Sequence, residues 1–298
     1  MPSKERALGA VINALSQLSP RLASRVALEL FTRPRRPPTR PQTVEWLRSA
    51  TELHLSYEGL QLRGYRWAAP DAPPDAHPNV LLVHGWESHA GRWRSLADGL
   101  LAAGISVYAL DGPASGASTG RRTNLIRYTG ALVQFERSFG PFDALVGHSL
   151  GGGVAAQLLA RTPLPRRAKA AVVMASFDEP EHVFDRYFDL LGMSQRTRQR
   201  FDQRALRMVP EAGGLENYST TAALRALGKE VRGLVVHALD DEVSPFAEGK
   251  AIHASWAGSE LWELPHGGHR LREPALQERI AAWLRGAISP ARALNTNT

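Results

Sequence analysis

The stretch Phe142-Asp-Ala-Leu-Val-Gly-His-Ser149-Leu-Gly-Gly-Gly-Val154 decides the fold. A short apolar run, Phe142–Val146, reads as a buried strand, and Leu150–Arg161 reads as a helix. Between them lies Gly147-His148-Ser149-Leu150-Gly151, a G-x-S-x-G turn joining strand to helix. Such a turn strains the serine backbone and exposes its Oγ. Gly147 and Gly151 suit it because strand and helix backbones approach closely there. The first amides of the helix also have no intrahelical acceptor, so they point at whatever reacts at Ser149.

Outward from this turn the same alternation repeats. Strand signals fall at Asn79–His84, Ile105–Leu110, Ala168–Met174, Val231–Leu239 and Glu260–Leu264. Helical spacing occupies Trp93–Ala103, residues 123–138 and Pro274–Arg285. Buried strands alternating with amphipathic helices imply an α/β fold, a mostly parallel sheet flanked by helices. Glu52–Tyr57 and Leu60–Trp67 alternate around Glu58-Gly59 and predict an antiparallel hairpin at the sheet edge. Two intervals stand outside the alternation. Residues 178–229 are a long helical insertion, read as a cap or lid over the strand ends. Residues 1–50 are read as an N-terminal extension, with amphipathic helices over 5–31 broken near Pro20 and a Pro/Arg linker over 33–42. The core is then 51–177 together with 230–298.

A serine hydroxyl needs a base, and the base needs an orienting acid. The elbow demands the chain order serine, acid, histidine. Asp241 lies in the carboxylate-rich turn Leu239-Asp-Asp-Glu-Val-Ser-Pro245, and His269 ends His266-Gly-Gly-His269. Asp240 and Asp178 are rival acids, and His266 is a rival base. Gly267 and Gly268 favour His269, since they let its loop swing over the site. For an oxyanion hole the candidate donors are the backbone N–H groups of Leu150 and Trp86, the latter in the loop after His84-Gly85. Phe184, Tyr187, Phe188 and Leu191 cluster in the insertion and are candidate contacts for an apolar acyl or alcohol group; packing of the cap is the competing explanation.

Composition removes other classes. The 298 residues contain no cysteine, which excludes disulfides and thiolate catalysis. Histidines near strand ends lack H-E-x-x-H or similar spacing, so neither metal nor other cofactor is expected. The formal net charge is +7, carried mainly by arginine. Its densest stretch, Arg33-Pro-Arg-Arg-Pro-Pro-Thr-Arg40, has no aromatic platform, so it reads as a solvated linker rather than a nucleic-acid site. Weak association with a lipid surface stays open. Lys4 and Arg6 precede an apolar run broken by Asn13, with no clear cleavage pattern after it, so a cytoplasmic location is the expectation.

Two further segments carry a family resemblance. Leu82-Val-His-Gly-Trp-Glu-Ser-His-Ala-Gly-Arg-Trp93 is similar to the H-G-x-x-E-H-x-G-R-aromatic loop of α/β-hydrolases of the monoacylglycerol lipase and lysophospholipase-like group, with one extra residue, Ser88. Asp111-Gly-Pro-Ala-Ser-Gly-Ala-Ser118 resembles that group's D-x-x-G-H-G-x-S turn, with Ala114 and Ser115 in place of Gly and His. Leu150 stands where many members have Met. The resemblance covers roughly residues 55–175 and 230–285. It implies a serine hydrolase acting on a small-molecule carboxylic ester through Ser149, Asp241 and His269. A thioesterase, peptidase, acyltransferase or perhydrolase on the same residues, and a binding protein on a retired hydrolase fold, are the alternatives.

Overall fold

The computed structural model describes residues 4–70, 78–209 and 214–288. Residues 1–3, 71–77, 210–213 and 289–298 belong to the intervals assigned above and lie outside the described residues.

Eight strands form one sheet: β1 (Thr51–Tyr57), β2 (Leu60–Trp67), β3 (Asn79–Val83), β4 (Ser106–Leu110), β5 (Ala144–His148), β6 (Ala170–Met174), β7 (Arg232–Ala238) and β8 (Glu260–Leu264). Their spatial order is β1-β2-β4-β3-β5-β6-β7-β8. β1 and β2 form the expected antiparallel hairpin, and β2 runs antiparallel to β4. The other pairings are parallel. β3, β4, β5 and β6 are buried along their whole length or nearly so, as strands covered on both faces must be. β5 begins two residues later than its apolar run, because Phe142 packs against Phe135 and Tyr108 ahead of the strand.

The covering helices form two layers. On one face α5 (Leu125–Phe139) and α6 (Leu150–Arg161) bury Phe135, Leu132, Val154 and Leu158. On the other, α4 (Arg94–Ala102) and α11 (Pro274–Ile288) bury Leu96, Leu100, Ile280 and Leu284. Chain order sets where chemistry can occur. From β3 the chain steps to β4 on one side, and later enters β5 on the other side of β3. The order therefore reverses between β3 and β5. Crevices in open α/β sheets form at such a point, outside the carboxyl ends of the strands. Ser149 follows β5 and Trp86 follows β3.

The elbow at that point is governed by contact. Ser149 has φ 55° and ψ −125°, outside the normal range for an L residue. A Cβ on Gly147 would overlap the carbonyl of Gly151, and one on Gly151 would overlap the carbonyls of Val83 and His84.

A third apolar cluster lies outside the sheet. α1 (Lys4–Leu18) and α2 (Pro20–Phe31) pack against α7 (Pro180–Leu191) and α8 (Gln195–Leu206). Phe201 is fully buried among Phe31, Phe184, Tyr187 and Phe188, with ring centroids 5.0–6.1 Å away. Ile12, Ala23, Ala27 and Leu191 complete this core. Asn13 ties α1 to the end of α7, donating to Gly192 O and accepting from Ser194 N. The extension and the insertion thus share one small hydrophobic core.

The Pro/Arg segment, expected as a solvated linker, is exposed at Arg33, Arg35, Arg36, Pro37, Pro38 and Arg40, and it also makes contacts across the surface. Arg35 grips the Glu87 carboxylate with its backbone N–H and its guanidinium, at 2.8–3.0 Å. Arg36 donates to the carbonyls of Gly116 and Gly120. Prolines keep this segment extended, and it straps the loop after β3 to the loop after β4. Beyond it α3 (Pro41–Arg48) opens on a proline that helices accept in their first turn.

Two alanine substitutions should have opposite signs. Gly151→Ala must push α6 away from β3 and cost about 3 kcal/mol. Gly286→Ala, in α11 with open space around it, should raise stability by about 0.5–1 kcal/mol. Phe201→Ala should cost about 3–5 kcal/mol. Urea unfolding of the three variants measures each value.

Candidate active site

Ser149, His269 and Asp241 come together from three strand ends. His269 Nε2 lies 2.9 Å from Ser149 Oγ. His269 Nδ1 lies 2.9 and 3.1 Å from the two oxygens of Asp241. A carboxylate can only accept there, so Nδ1 carries the proton and Nε2 presents its lone pair to the hydroxyl. Asp241 is buried. Its Oδ1 accepts from the N–H groups of Val243 and Ser244 at 2.8 and 2.9 Å. Burial raises its pKa, but hydrogen bonds from His237, His269 and Ser244 outweigh that and hold the carboxyl well below its usual range. It is ionised at neutral pH.

The rivals take other tasks. Asp240 Oδ1 accepts from Gly268 N at 2.9 Å, anchoring the loop that carries His269. Asp178 accepts from Glu179 N and pairs with His182. His266 is exposed and 3.7 Å from Asp240. Adjacent carboxylates thus divide one job: Asp241 meets the imidazole, and Asp240 holds its backbone.

Two histidines to which the sequence reading gave no role support this arrangement. His148, the residue before the serine, donates from Nε2 to the carbonyl of His269 at 2.6 Å. It therefore fixes His269 from the turn that carries Ser149. Burial, aided by Arg92 and His269, pushes its pKa well down, so it is neutral. His237 on β7 donates from Nε2 to Ser244 O at 2.8 Å and lies 3.4 Å from Asp241 Oδ2. Only its place three residues before Asp240 marked it in the sequence.

The loop after β3 lies against the elbow. A Cβ on Gly85 would come 2.9 Å from both His148 O and Ser149 Cβ, so this backbone approaches the serine as closely as glycine permits. Trp86 follows it with its side chain part exposed. Leu150 is the first residue of α6. Glu87, in the left-handed region at φ 50°, is the residue that Arg35 grips.

Asp111 braces that loop from β4. Its Oδ1 accepts from Ala90 N at 2.7 Å and its Oδ2 from Ala117 N at 2.8 Å. His84 donates from Nδ1 to Gly85 O at 2.8 Å and accepts on Nε2 from Gly112 N at 3.0 Å. Both partners have fixed roles, so His84 is neutral with its proton on Nδ1. Gly116 leaves the room that Asp111 needs, since a Cβ there would overlap the carboxylate.

Phe184, Tyr187, Phe188 and Leu191 make their contacts within the small helical core, with α1, α2 and α8. Tyr187 also donates to Ala27 O at 3.0 Å. These contacts are those of packing, the competing explanation raised from the sequence.

Acid should expose the buried neutral histidines. Burial lowers His84 from 6.5 to about 4, despite the opposing pull of Asp111. The unfolded chain takes a proton near pH 6.5 that the folded chain refuses until about pH 4. This contribution is complete above pH 6.5 and is lost as pH falls toward 4, by roughly 3 kcal/mol at about 1.4 kcal/mol per unit. His148 acts in the same direction. Urea unfolding between pH 7.5 and 5 should show this slope, and His84→Gln should flatten it; parallel profiles would contradict the assignment.

Comparison with known proteins agrees with this architecture. Residues 78–212 match the α/β hydrolase fold family. A monoacylglycerol lipase from Mycolicibacterium smegmatis is 38% identical over 126 residues, covering 39% of this chain and 44% of the lipase. The match thus spans less than half the length of that relative. An esterase domain from Rhodothermus marinus superposes with a TM-score of 0.57 at 17% identity, over 80% of this chain and 99% of that domain. A bacterial membrane phospholipase A superposes with a TM-score of 0.61 at 18% identity, over 84% of this chain and 90% of the phospholipase. These two likenesses concern the fold. With its eight-stranded sheet and the signature over residues 78–212, the chain has the α/β-hydrolase fold.

Proposed function

We propose that the protein is a serine hydrolase that cleaves a carboxylic ester through an acyl-enzyme, with Ser149 as nucleophile, His269 as general base and acid, and Asp241 as the orienting carboxylate. The observation that carries this reading is the continuous chain of contacts from Asp241 through both ring nitrogens of His269 to Ser149 Oγ, 2.9 Å at each end. Substrate binding brings the ester carbonyl carbon to Oγ. Oγ attacks it while Nε2 takes the hydroxyl proton. Asp241 stabilises the imidazolium without accepting its proton. The carbonyl oxygen becomes an oxyanion, held by the N–H groups of Leu150 and Trp86. The tetrahedral species collapses, Nε2 gives its proton to the departing alkoxide, and an alcohol leaves. Water, deprotonated by Nε2, then attacks the acyl-enzyme and releases the carboxylic acid and free Ser149.

In this reading the helical layer of α1, α2, α7 and α8 serves as the cap, so the cap draws on the N-terminal extension as well as on residues 178–229. The similarity to a monoacylglycerol lipase favours a small lipid ester as substrate.

Ser149→Ala should fold with wild-type stability and lose turnover of p-nitrophenyl esters by several orders of magnitude, leaving only the smaller rate gain from binding and the oxyanion donors. A fluorophosphonate probe should label the wild type and not this variant. Labelling of Ser149→Ala at the wild-type level would overturn the assignment. Esters, thioesters and amides of one acyl group, compared by kcat/KM, decide among the chemistries open to this arrangement; ester turnover should lead.

A further inference from the structure

Residues Ala7–Leu18 of α1 contain no charged side chain. Gly9, Ile12 and Ser16 face inward and are buried; a Cβ on Gly9 would overlap the backbone of Leu191. A surface helix ordinarily turns polar residues to the other side. Here the outer side presents Ala7, Leu8, Ala10, Val11, Ala14, Gln17 and Leu18, all exposed, and Gln17 is the one polar member. Val11 is 65% exposed and Leu18 86% exposed. Leu22 of α2 continues the strip across the Ser19-Pro20 break. The helix is therefore predominantly apolar on both sides, and among the described residues only one side is covered. A contiguous strip of this kind marks an interaction surface.

Charge identifies the occupant. Arg21 and Arg25 are exposed on α2 beside Leu22. The acid nearest them along α2, Glu29, is paired with Arg122. The whole chain carries +7. A second copy docking through the same strip would gather Arg21 and Arg25 of both copies into one interface, because a two-fold contact sets a patch against itself. An anionic surface meets both the leucines and the arginines. α1 has 15 residues, fewer than the roughly 20 needed to cross a bilayer. Among the described residues no helix is long and apolar enough to cross one.

We infer that the outer face of α1, with Leu22, Arg21 and Arg25, docks in the plane of an anionic lipid surface. The apolar residues enter the boundary between headgroups and acyl chains, and the arginines engage lipid phosphates, the known pattern of interfacial helices. This goes beyond the hydrolytic reading and does not depend on it. The docked helix is the one whose inner side packs on α7, so the surface is attached directly to the helical layer proposed as the cap.

The test is co-sedimentation of the full chain with vesicles of equal parts phosphatidylglycerol and phosphatidylcholine. The wild type should bind, and binding should fall on raising salt or on replacing the phosphatidylglycerol by phosphatidylcholine. The double variant Val11→Glu/Leu18→Glu should bind at least about tenfold more weakly. Its turnover of a soluble short-chain ester should match the wild type within about twofold, since both side chains are exposed on the outer face of α1, away from the side that packs on α7. Ser149→Ala should bind vesicles like the wild type, which separates docking from hydrolysis. Equal binding by the wild type and the double variant would overturn the inference. So would a wild-type dimer that fails to bind vesicles and becomes monomeric in the double variant, because that result gives the strip to a second copy.

Discussion

Between the carbonyl of Val83 and the Cα of Gly151 there is no room for a methyl group, and the rest of the site follows from that closeness. It forces α6 to start directly over the ends of β3 and β5. The chain then has one residue in which to turn from strand to helix, and Ser149 takes up the strain. The same closeness brings the loop after β3 beside Ser149 through Gly85 and lets His148 reach the carbonyl of His269. Three segments far apart in the chain meet because two glycines omit their side chains.

Around this junction the electrostatics are arranged by burial. His84 and His148 are buried and neutral, and their hydrogen bonds to backbone groups fix how the surrounding loops stand. Asp241 is buried and charged, because two backbone N–H groups and two imidazoles solvate it in place of water. Asp111 does the same for the neighbouring loop, with backbone donors from Ala90 and Ala117. Each carboxylate is thus a rigid acceptor around which flexible backbone is organised.

The elbow and the sheet were legible in the sequence because both are local. Gly147 to Gly151, the apolar runs and the turn after β7 each show their nature within ten residues. The choice of Asp241 over Asp240 was also open to reasoning, since neighbouring side chains in a turn point apart. What local patterns could not show was pairing over distance. Arg35 and Glu87 are 52 positions apart, so the contact that the proline-rich basic segment makes with this carboxylate could not be read from the sequence. Phe184, Tyr187, Phe188 and Leu191 were visible as an apolar helix face, but nothing nearby in the chain told that the covering surface is α1 and α2. α3 and α10 (Phe246–Ser255) went unread because each is short, with 8 and 10 residues, and gives periodicity little length in which to appear.

The shared core of the four outer helices also has a consequence in time. The face of α2 that carries Ala23, Ala27 and Phe31 is covered by helices that begin only at Pro180. About 150 residues must be made before that partner exists. At roughly 5–20 residues per second, synthesis leaves the face uncovered for about 8–30 s. Helices made early are therefore among the last to find their final contacts. During that interval their apolar sides need either a transient cover or a surface on which to rest.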